Sequence, residues 1–233
     1  YFDEKKGVVP NTEWKKNALG KSWYLGETVI NGIGQGYIQT TPLQLCLMTA
    51  QIANGGYKIK PHILFDKNIN FENAKLKIAK QLTNESLLNN PILEDREFQL
   101  YEKLYSRPEN IDFVKDAMFG STNEQYGTSF KSRFEDLKYQ FAGKTGTSQV
   151  KRITEEEREL DLKQSEIEYK NRDHALYVAF APYKEPRYSI SVLVEHGGSG
   201  SKAAAPLASK LIKKIIDRHK LREQIRKANI TLA

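Results

Sequence analysis

The sequence has 233 residues, enough for one sizeable hydrophobic core or for a domain with a smaller lobe. Its 39% hydrophobic and 28% charged residues are typical of a folded globular protein and exclude wholesale disorder. No run approaches the roughly 20 apolar residues that span a bilayer, and no secretory signal opens the chain. Because the first residue is Tyr1 rather than methionine, we expect a piece of a longer protein.

The net charge of +7 is concentrated near the end of the chain. Between positions 202 and 227 nine basic residues stand against two acidic ones, which accounts for the whole excess. A solvated helix face is the favoured interpretation, and contact with anionic lipid or nucleic acid is the second. Cys46 is the only cysteine, so no disulfide can form within the chain.

A capped helix follows an N-terminal segment, 1–36, that we interpret as irregular. Thr41 is a good N-cap, Pro42 occupies the first helical position, and Gln44 completes a capping box. The helix should end at Gly55-Gly56 and bury one apolar stripe. This stripe consists of Leu43, Cys46, Leu47, Ala50 and Ala53, so that Cys46 is expected to be a packing thiol.

The middle of the chain has weaker signals. Residues 66–110 are polar and read as a variable insertion or loose helices, and a helix is predicted over Ile111–Phe119. Turn chemistry follows in GSTNEQYGTSF. The charge-dense stretch 151–173 is interpreted as a loop.

Three strands and a final helix are predicted next. The strands are 139–149, 174–181 and 187–196, and a short turn at 183–187 makes the last two antiparallel. The final helix begins near Lys202, with an apolar stripe formed by Ala204, Leu207, Ala208, Leu211, Ile212, Ile215 and Ile216. An antiparallel sheet flanked by helices is an α+β fold.

The stretch AGKTGTSQV, residues 142–150, carries the strongest chemical signal. A phosphate-binding loop of the GxxxxGK type would need glycine at position 138, which is Lys138. A nucleotide site is therefore a poor interpretation.

An acyl-transfer site explains the same stretch better. A strand edge can hold a ligand's backbone by strand addition, and Gly146 permits close approach. The hydroxyls of Thr145 and Thr147 share one face and can bind a carboxylate, to which Lys144 adds a cation. A backbone N–H at such an edge can serve an oxyanion hole. From these four residues a solvent-facing strand remains the alternative.

The box resembles the Lys-Thr/Ser-Gly-Thr motif of the penicillin-recognising serine acyltransferases, whose other motifs are Ser-x-x-Lys and a Ser-Asp-Asn type box. Other stretches resemble the class B bacterial penicillin-binding proteins in the same order: WYLGETVINGIGQGYIQTTPLQL (23–45), HALYVAFAP (174–182) and VLVEHGGSGSKAAAP (192–206). Within that class, GIGQGY with TPLQL is closest to the elongation-specific transpeptidases of rod-shaped bacteria. The resemblance implies the C-terminal part of a transpeptidase domain over 1–220, followed by a basic tail over 221–233.

The resemblance also implies a reaction for the intact enzyme. A serine attacks the D-Ala-D-Ala carbonyl of a peptidoglycan stem peptide, and the acyl group passes to an amine on a neighbouring strand. Lys144 would be catalytic through its charge, while Thr145 and Thr147 would hold the terminal carboxylate. The Thr147 N–H would also donate into the oxyanion hole, and Gly146 would keep the strand accessible. The nucleophilic serine and the Ser-x-Asn box would lie upstream of Tyr1, so this segment by itself is expected to be inactive.

Two stretches match the missing motifs by chance. Ser199–Lys202 fits Ser-x-x-Lys but follows the Lys-Thr-Gly box, and Ser121–Asn123 fits Ser-x-Asn but falls in a predicted turn. Ser201 is interpreted as a helix cap.

The implied partners are the stem peptide, β-lactams, a membrane glycan polymerase and elongation-complex proteins. The implied location is the periplasmic face of the bacterial inner membrane, with an anchor upstream. No cofactor is implied, and the scattered histidines (His62, His174, His196 and His219) show no metal-ligand spacing. The resemblance implies packing roles for Trp14 and Trp23 rather than nucleic-acid stacking.

Two alternatives remain. The first is a catalytically inactive relative that serves as a scaffold module in cell-wall assembly, which the motifs upstream of Tyr1 would distinguish. The second is a basic nucleic-acid-binding domain that uses the tail, for which DNA retention should depend steeply on salt.

Overall fold

The computed structural model describes residues 5–61, 102–150 and 166–231. It forms two compact units, Tyr1–Leu45 and Cys46–Ala233. The helices are α1 (Thr12–Leu19), α2 (Leu25–Gly32), α3 (Pro42–Ala53), α4 (Pro108–Asn123) and α5 (Ala205–Thr231). The strands are β1 (Ala142–Ser148), β2 (His174–Ala181) and β3 (Tyr188–Val194). Across the described ranges, no helix combines the length and the apolar character needed to cross a bilayer.

The N-terminal segment is not irregular, so that prediction was wrong. Helix α1 begins where the Asn11 side chain accepts a 2.7 Å hydrogen bond from the Trp14 N–H, and it ends at Gly20 with φ of 66°. Helix α2 begins where Glu27 accepts a 2.8 Å hydrogen bond from the Tyr24 N–H. Each helix has only eight residues, too few to show a clear helical period in the sequence.

An ion pair connects the two helices of this first unit. Lys15 is 1% exposed, and its Nζ lies 2.5 and 2.7 Å from the two carboxylate oxygens of Glu27. The ammonium also lies 4.4 Å from the centre of the Tyr24 ring. Trp14 packs on Tyr37 with ring centres 5.4 Å apart, the kind of packing role predicted for it.

Helix α3 confirms the capping box but corrects its apolar stripe. Thr41 Oγ1 accepts from the Gln44 N–H at 3.2 Å, and the Gln44 side chain accepts from the Thr41 N–H at 2.9 Å. Of the predicted stripe only Ala53 is buried, and Leu43 is 42% exposed. Cys46 is half-buried, with Sγ 3.2 Å from Ser189 Oγ.

Helix α4 is longer at both ends than the predicted Ile111–Phe119. Its last turn takes in Gly120–Asn123, where a turn was predicted. The Asn123 amide donates to Phe119 O at 3.0 Å and to Phe141 O at 2.9 Å, which satisfies a side chain that would otherwise favour a turn. Most of the predicted insertion 66–110 lies outside the described residues, as do positions 151–165 of the predicted loop.

The sheet confirms the α+β prediction. Its strands are antiparallel in the order β1-β2-β3, as predicted for the hairpin that joins β2 and β3. The boundaries of β2 coincide with the predicted 174–181. One face packs on α5 through a core that contains Phe141, Tyr177 and Ile212. A second cluster joins Ala142 and Phe180 to α3 and α4 through Ala53 and Met118.

Helix α5 buries a narrower stripe than the sequence predicted. Five residues are buried in the core shared with the sheet: Ala204 just before the helix, and Ala205, Ala208, Ile212 and Ile216 within it. Leu207, Leu211 and Ile215 are 44%, 45% and 37% exposed, so their assignment to the buried stripe was wrong. The buried positions 204, 205 and 208 are all alanines, whose small side chains let this face lie close to the sheet.

Ser201 is not a helix cap, so that prediction was wrong. It lies inside a π-helical turn, Gly200–Ala204, that precedes α5. The helix continues to Thr231, and the basic tail over 221–233 stays a prediction.

The histidines are less scattered than predicted. His174 and His196 contact each other, with ring centres 4.8 Å apart, and His174 Nδ1 accepts a 2.9 Å hydrogen bond from the His196 N–H. His196 has a φ of 54°, a left-handed conformation in the turn that follows β3. His62 lies outside the described residues.

Candidate active site

The Lys-Thr-Gly-Thr box occupies most of β1. In the register of the sheet, Lys144 lies opposite Val178 and Gly146 lies opposite Leu176. Strand β1 stands at one edge of the three-stranded sheet that the described residues form. Its backbone on the side away from β2 is therefore placed for strand addition by an extended ligand.

The polar side chains of the box lie at the surface. Lys144 and Thr147 are exposed, whereas Thr145 and Gly146 are half-buried. The Lys144 ammonium donates to Thr145 O at 2.8 Å and to Thr145 Oγ1 at 3.3 Å. A cation and two hydroxyl-bearing residues two positions apart on one strand suit a bound carboxylate.

Glycines allow the close packing behind the box. A Cβ atom on Gly143 would overlap the Tyr177 hydroxyl, and one on Gly146 would lie 3.2 Å from Leu176 Cβ. A Cβ on Gly200 would lie 2.5 Å from Leu176 O and 2.8 Å from Gly146 O. The loop that leads into α5 thus presses its backbone against the backbone of the box. This explains Gly200 of HGGSGS, whose contact with the box the sequence interpretation missed.

A buried hydroxyl cluster lies next to Gly143. The Tyr177 hydroxyl is 3.0 Å from Thr122 Oγ1 and 2.9 Å from Ser129 Oγ, and all three residues are buried. Burial raises the pKa of the Tyr177 phenol, although its two hydroxyl partners act in the opposite direction. The phenol is consequently neutral at pH 7, and the cluster ties the end of α4 to β2 without a buried charge.

Thr128 was not among the predicted site residues, yet it contacts the box. It is exposed, and its Oγ1 lies 3.4 Å from Thr145 Oγ1. It also lies 3.2 Å from Ser121 Oγ. The sequence signal for Thr128 is the stretch GTS before the box, which by itself indicates only a turn.

The serines of the two motif matches noted in the sequence lie outside β1. Ser121 and Asn123 belong to the last turn of α4 rather than to a separate turn. Ser199 starts the π-helical turn before α5, and its Oγ lies 3.1 Å from Ser201 Oγ. Another Ser-x-x-Lys match, at 148–151, also follows Lys144 in the chain, and Lys151 lies outside the described residues.

Comparison with known proteins gives one family. The family model described as "Penicillin binding protein transpeptidase domain" matches residues 3–213. The peptidoglycan D,D-transpeptidase MrdA of Salmonella typhimurium is 33% identical over 215 residues, which are 92% of this chain and 31% of that protein. The MrdA protein of Acinetobacter baumannii is 34% identical over 209 residues, 88% of this chain and 27% of that protein.

Solved structures agree with these relatives. The penicillin-binding protein PBP2 of Helicobacter pylori, solved in a complex with MreC, has a TM-score of 0.67 and 28% identity, covering 92% of this chain and 32% of that one. The PBP2 of Pseudomonas aeruginosa, solved with WCK 5153, has a TM-score of 0.63 and 33% identity, covering 92% of this chain and 39% of that one. The predicted resemblance is confirmed. The chain spans about a third of the length of the curated relatives it matches.

Proposed function

The chain belongs to the penicillin-binding protein transpeptidase domain family, and from that premise we propose that its protein is a peptidoglycan D,D-transpeptidase of cell elongation. The observation that supports this most directly is the match over residues 3–213, which includes the Lys-Thr-Gly-Thr box on an edge strand. The proposed substrate is a stem peptide that ends in D-Ala-D-Ala, and β-lactams would acylate the same nucleophile.

The reaction assigns a role to each residue of the box. A serine, supplied by a Ser-x-x-Lys motif that does not occur before Lys144 in this sequence, attacks the penultimate D-alanine carbonyl. The terminal D-alanine leaves, and an amine of a second peptide takes the acyl group. Thr145 and Thr147 hold the terminal carboxylate, and the Thr147 N–H donates to the oxyanion.

Lys144 stabilises negative charge that develops beside the box and supports proton transfer from the serine. Gly146 places no side chain between the strand and the peptide. The exposure of Lys144 and Thr147 supports these roles, because a ligand can reach both without displacing packed side chains. A donor directed at the oxyanion contributes roughly 3–4 kcal/mol to transition-state stabilisation.

The proposed partners follow from the relatives. The Helicobacter pylori PBP2 forms a complex with MreC, and we propose a related elongation-complex partner for this protein. A membrane glycan polymerase is the second proposed partner. The proposed location is the periplasmic face of the inner membrane, with the anchor in another part of the protein.

The test is acylation of the full-length protein by a fluorescent penicillin. Wild-type protein should be labelled covalently, and Lys144→Ala should lower the labelling rate by roughly 100-fold or more. Because Lys144 is exposed, the change in unfolding free energy should stay within about 0.5 kcal/mol.

Lys184→Ala is the matched control. Lys184 is an exposed lysine in the turn between β2 and β3, three residues beyond the end of β2. The Lys184→Ala variant should be labelled by penicillin at the wild-type rate. If penicillin labels Lys144→Ala at the wild-type rate, Lys144 is not part of the active site. If penicillin does not label the wild type, the catalytically inactive scaffold is the better interpretation.

A further inference from the structure

A row of hydroxyl groups runs from the end of α4 to the box. Ser121 Oγ lies 3.2 Å from Thr128 Oγ1, which lies 3.4 Å from Thr145 Oγ1. At its far end the Lys144 ammonium donates to Thr145 Oγ1 at 3.3 Å. The Thr145 hydroxyl therefore has two neighbours, a lysine that can only donate and a threonine that can donate or accept.

The direction of these hydrogen bonds follows from the number of protons. A hydroxyl oxygen accepts through two lone pairs and carries one hydrogen. If Lys144 and Thr128 both donate to Thr145 Oγ1, both lone pairs are used and the Thr145 hydrogen is directed outward. A carboxylate can only accept, so this is the arrangement that lets Thr145 bind one. A donation from Ser121 to Thr128 completes the row, and each bond in such a chain polarises the next.

The backbone around Thr128 is held rigidly. A Cβ atom on Gly127 would overlap Ser121 O, so the turn fits against α4 only with glycine there. The next residue, Ser129, donates from its backbone N–H and from its Oγ to Ser121 O, both at 3.0 Å. Ser129 also belongs to the buried cluster around Tyr177. A side chain at position 128 is consequently held at the box while remaining exposed.

We propose that Thr128 is a positioning residue for the carboxylate subsite, whose hydroxyl donates to Thr145 and thereby directs the Thr145 hydroxyl to the ligand. The ligand class is a peptide, or a β-lactam, with a free carboxylate. The inference rests on the proposed function, because it assigns a helper to a residue proposed to hold substrate. Thr128 does not touch the substrate in this arrangement and acts through Thr145.

The test compares Thr128→Val and Thr128→Ser in the full-length protein. Valine keeps the β-branched shape but has no hydroxyl, whereas serine keeps the hydroxyl and loses a methyl group. The second-order rate constant for acylation by fluorescent penicillin should fall about three- to tenfold in Thr128→Val, the value of one net hydrogen bond. Thr128→Ser should restore most of that loss. Neither melting temperature should move appreciably, since the side chain is exposed.

The control is Ser106→Ala, which removes an exposed hydroxyl just before the start of α4. Ser106 lies two residues before α4, and Ser121 is thirteen positions into that helix, a rise of roughly 20 Å. The variant should therefore react like the wild type. A wild-type rate in Thr128→Val overturns the inference. Equal losses of rate in the valine and serine variants also overturn it, because they would show a dependence on shape rather than on the hydroxyl.

Labelling of the wild type and of Lys144→Ala distinguishes failure of this inference from failure of the proposed function. If wild type is labelled and Lys144→Ala is not, the box is the site, and the two Thr128 variants decide the inference. If wild type is not labelled, the proposed function and the inference fail together.

Discussion

Ile212→Ala in the full-length protein should lower stability much more than Leu211→Ala. Ile212 is 2% exposed within the core that joins α5 to the sheet, while Leu211 is 45% exposed. Truncating a buried isoleucine to alanine costs about 2–5 kcal/mol. Full burial of a leucine contributes about 1.5–3 kcal/mol, so a half-exposed leucine should lose about 1 kcal/mol. Alanine's higher helix propensity offsets each cost by only a few tenths of a kcal/mol, roughly equally at both positions.

Thermal melts of the two variants measure this difference. In domains of this size each 1 kcal/mol shifts the melting temperature by roughly 2–4 °C, so Ile212→Ala should melt roughly 5–15 °C lower and Leu211→Ala roughly 3 °C lower. If the full-length protein shows several melting transitions, the one whose temperature rises when penicillin is bound belongs to the transpeptidase domain. If Leu211→Ala costs as much as Ile212→Ala, α5 faces the sheet with a different side, and the placement of the helix is wrong.

The remaining predictions concern a glycine contact and a carboxyl group. Gly200→Ala should destabilise strongly because the new Cβ would lie 2.5 Å from Leu176 O, whereas Gly26→Ala, with nothing within 4 Å in α2, should be neutral or stabilising by about 0.5–1 kcal/mol in denaturant melts. The hydrogen bond from Lys15 holds the pKa of Glu27 below its ordinary value of 4.5, so the folded state binds this proton less tightly than the unfolded state. The stability that Glu27 contributes is therefore present above that value and lost as pH falls through the lowered pKa. The melting-temperature gap between wild type and Glu27→Gln should shrink from pH 6 to pH 3, and a constant gap would contradict this.

The ends of helices and strands could be predicted where the residues present favour a single local structure. The pair of Thr41 and Gln44 specified the start of α3, and the apolar stretch HALYVAFA located β2 to its ends. Short helices were missed because eight residues hold barely two turns, and their signals were single caps such as Asn11. The sequence pattern marks apolar residues but not how closely a helix approaches its sheet, which is why Leu211 and Ile212 were assigned to the same buried stripe.

The box itself could be found in the sequence, but the residues that support it could not. Lys144 to Thr147 form a contiguous motif, whereas Thr128 and Gly200 reach the box from positions far along the chain. Their local signals, a turn glycine and a polar residue, have many uses in any protein. The turn after α4 places Thr128 beside the box, and the turn before α5 places Gly200 there.

The division between exposed and buried residues at β1 has a consequence for how the site can change. Lys144 and Thr147 make few buried contacts, so their replacement should change binding and leave folding nearly intact. Gly143 and Tyr177 contribute to folding instead. Any side chain at position 143 would overlap the Tyr177 phenol, which joins α4 to the sheet. Substitutions that alter acylation without altering stability should therefore fall on the exposed residues of the strand, and substitutions of the buried ones should reduce both together.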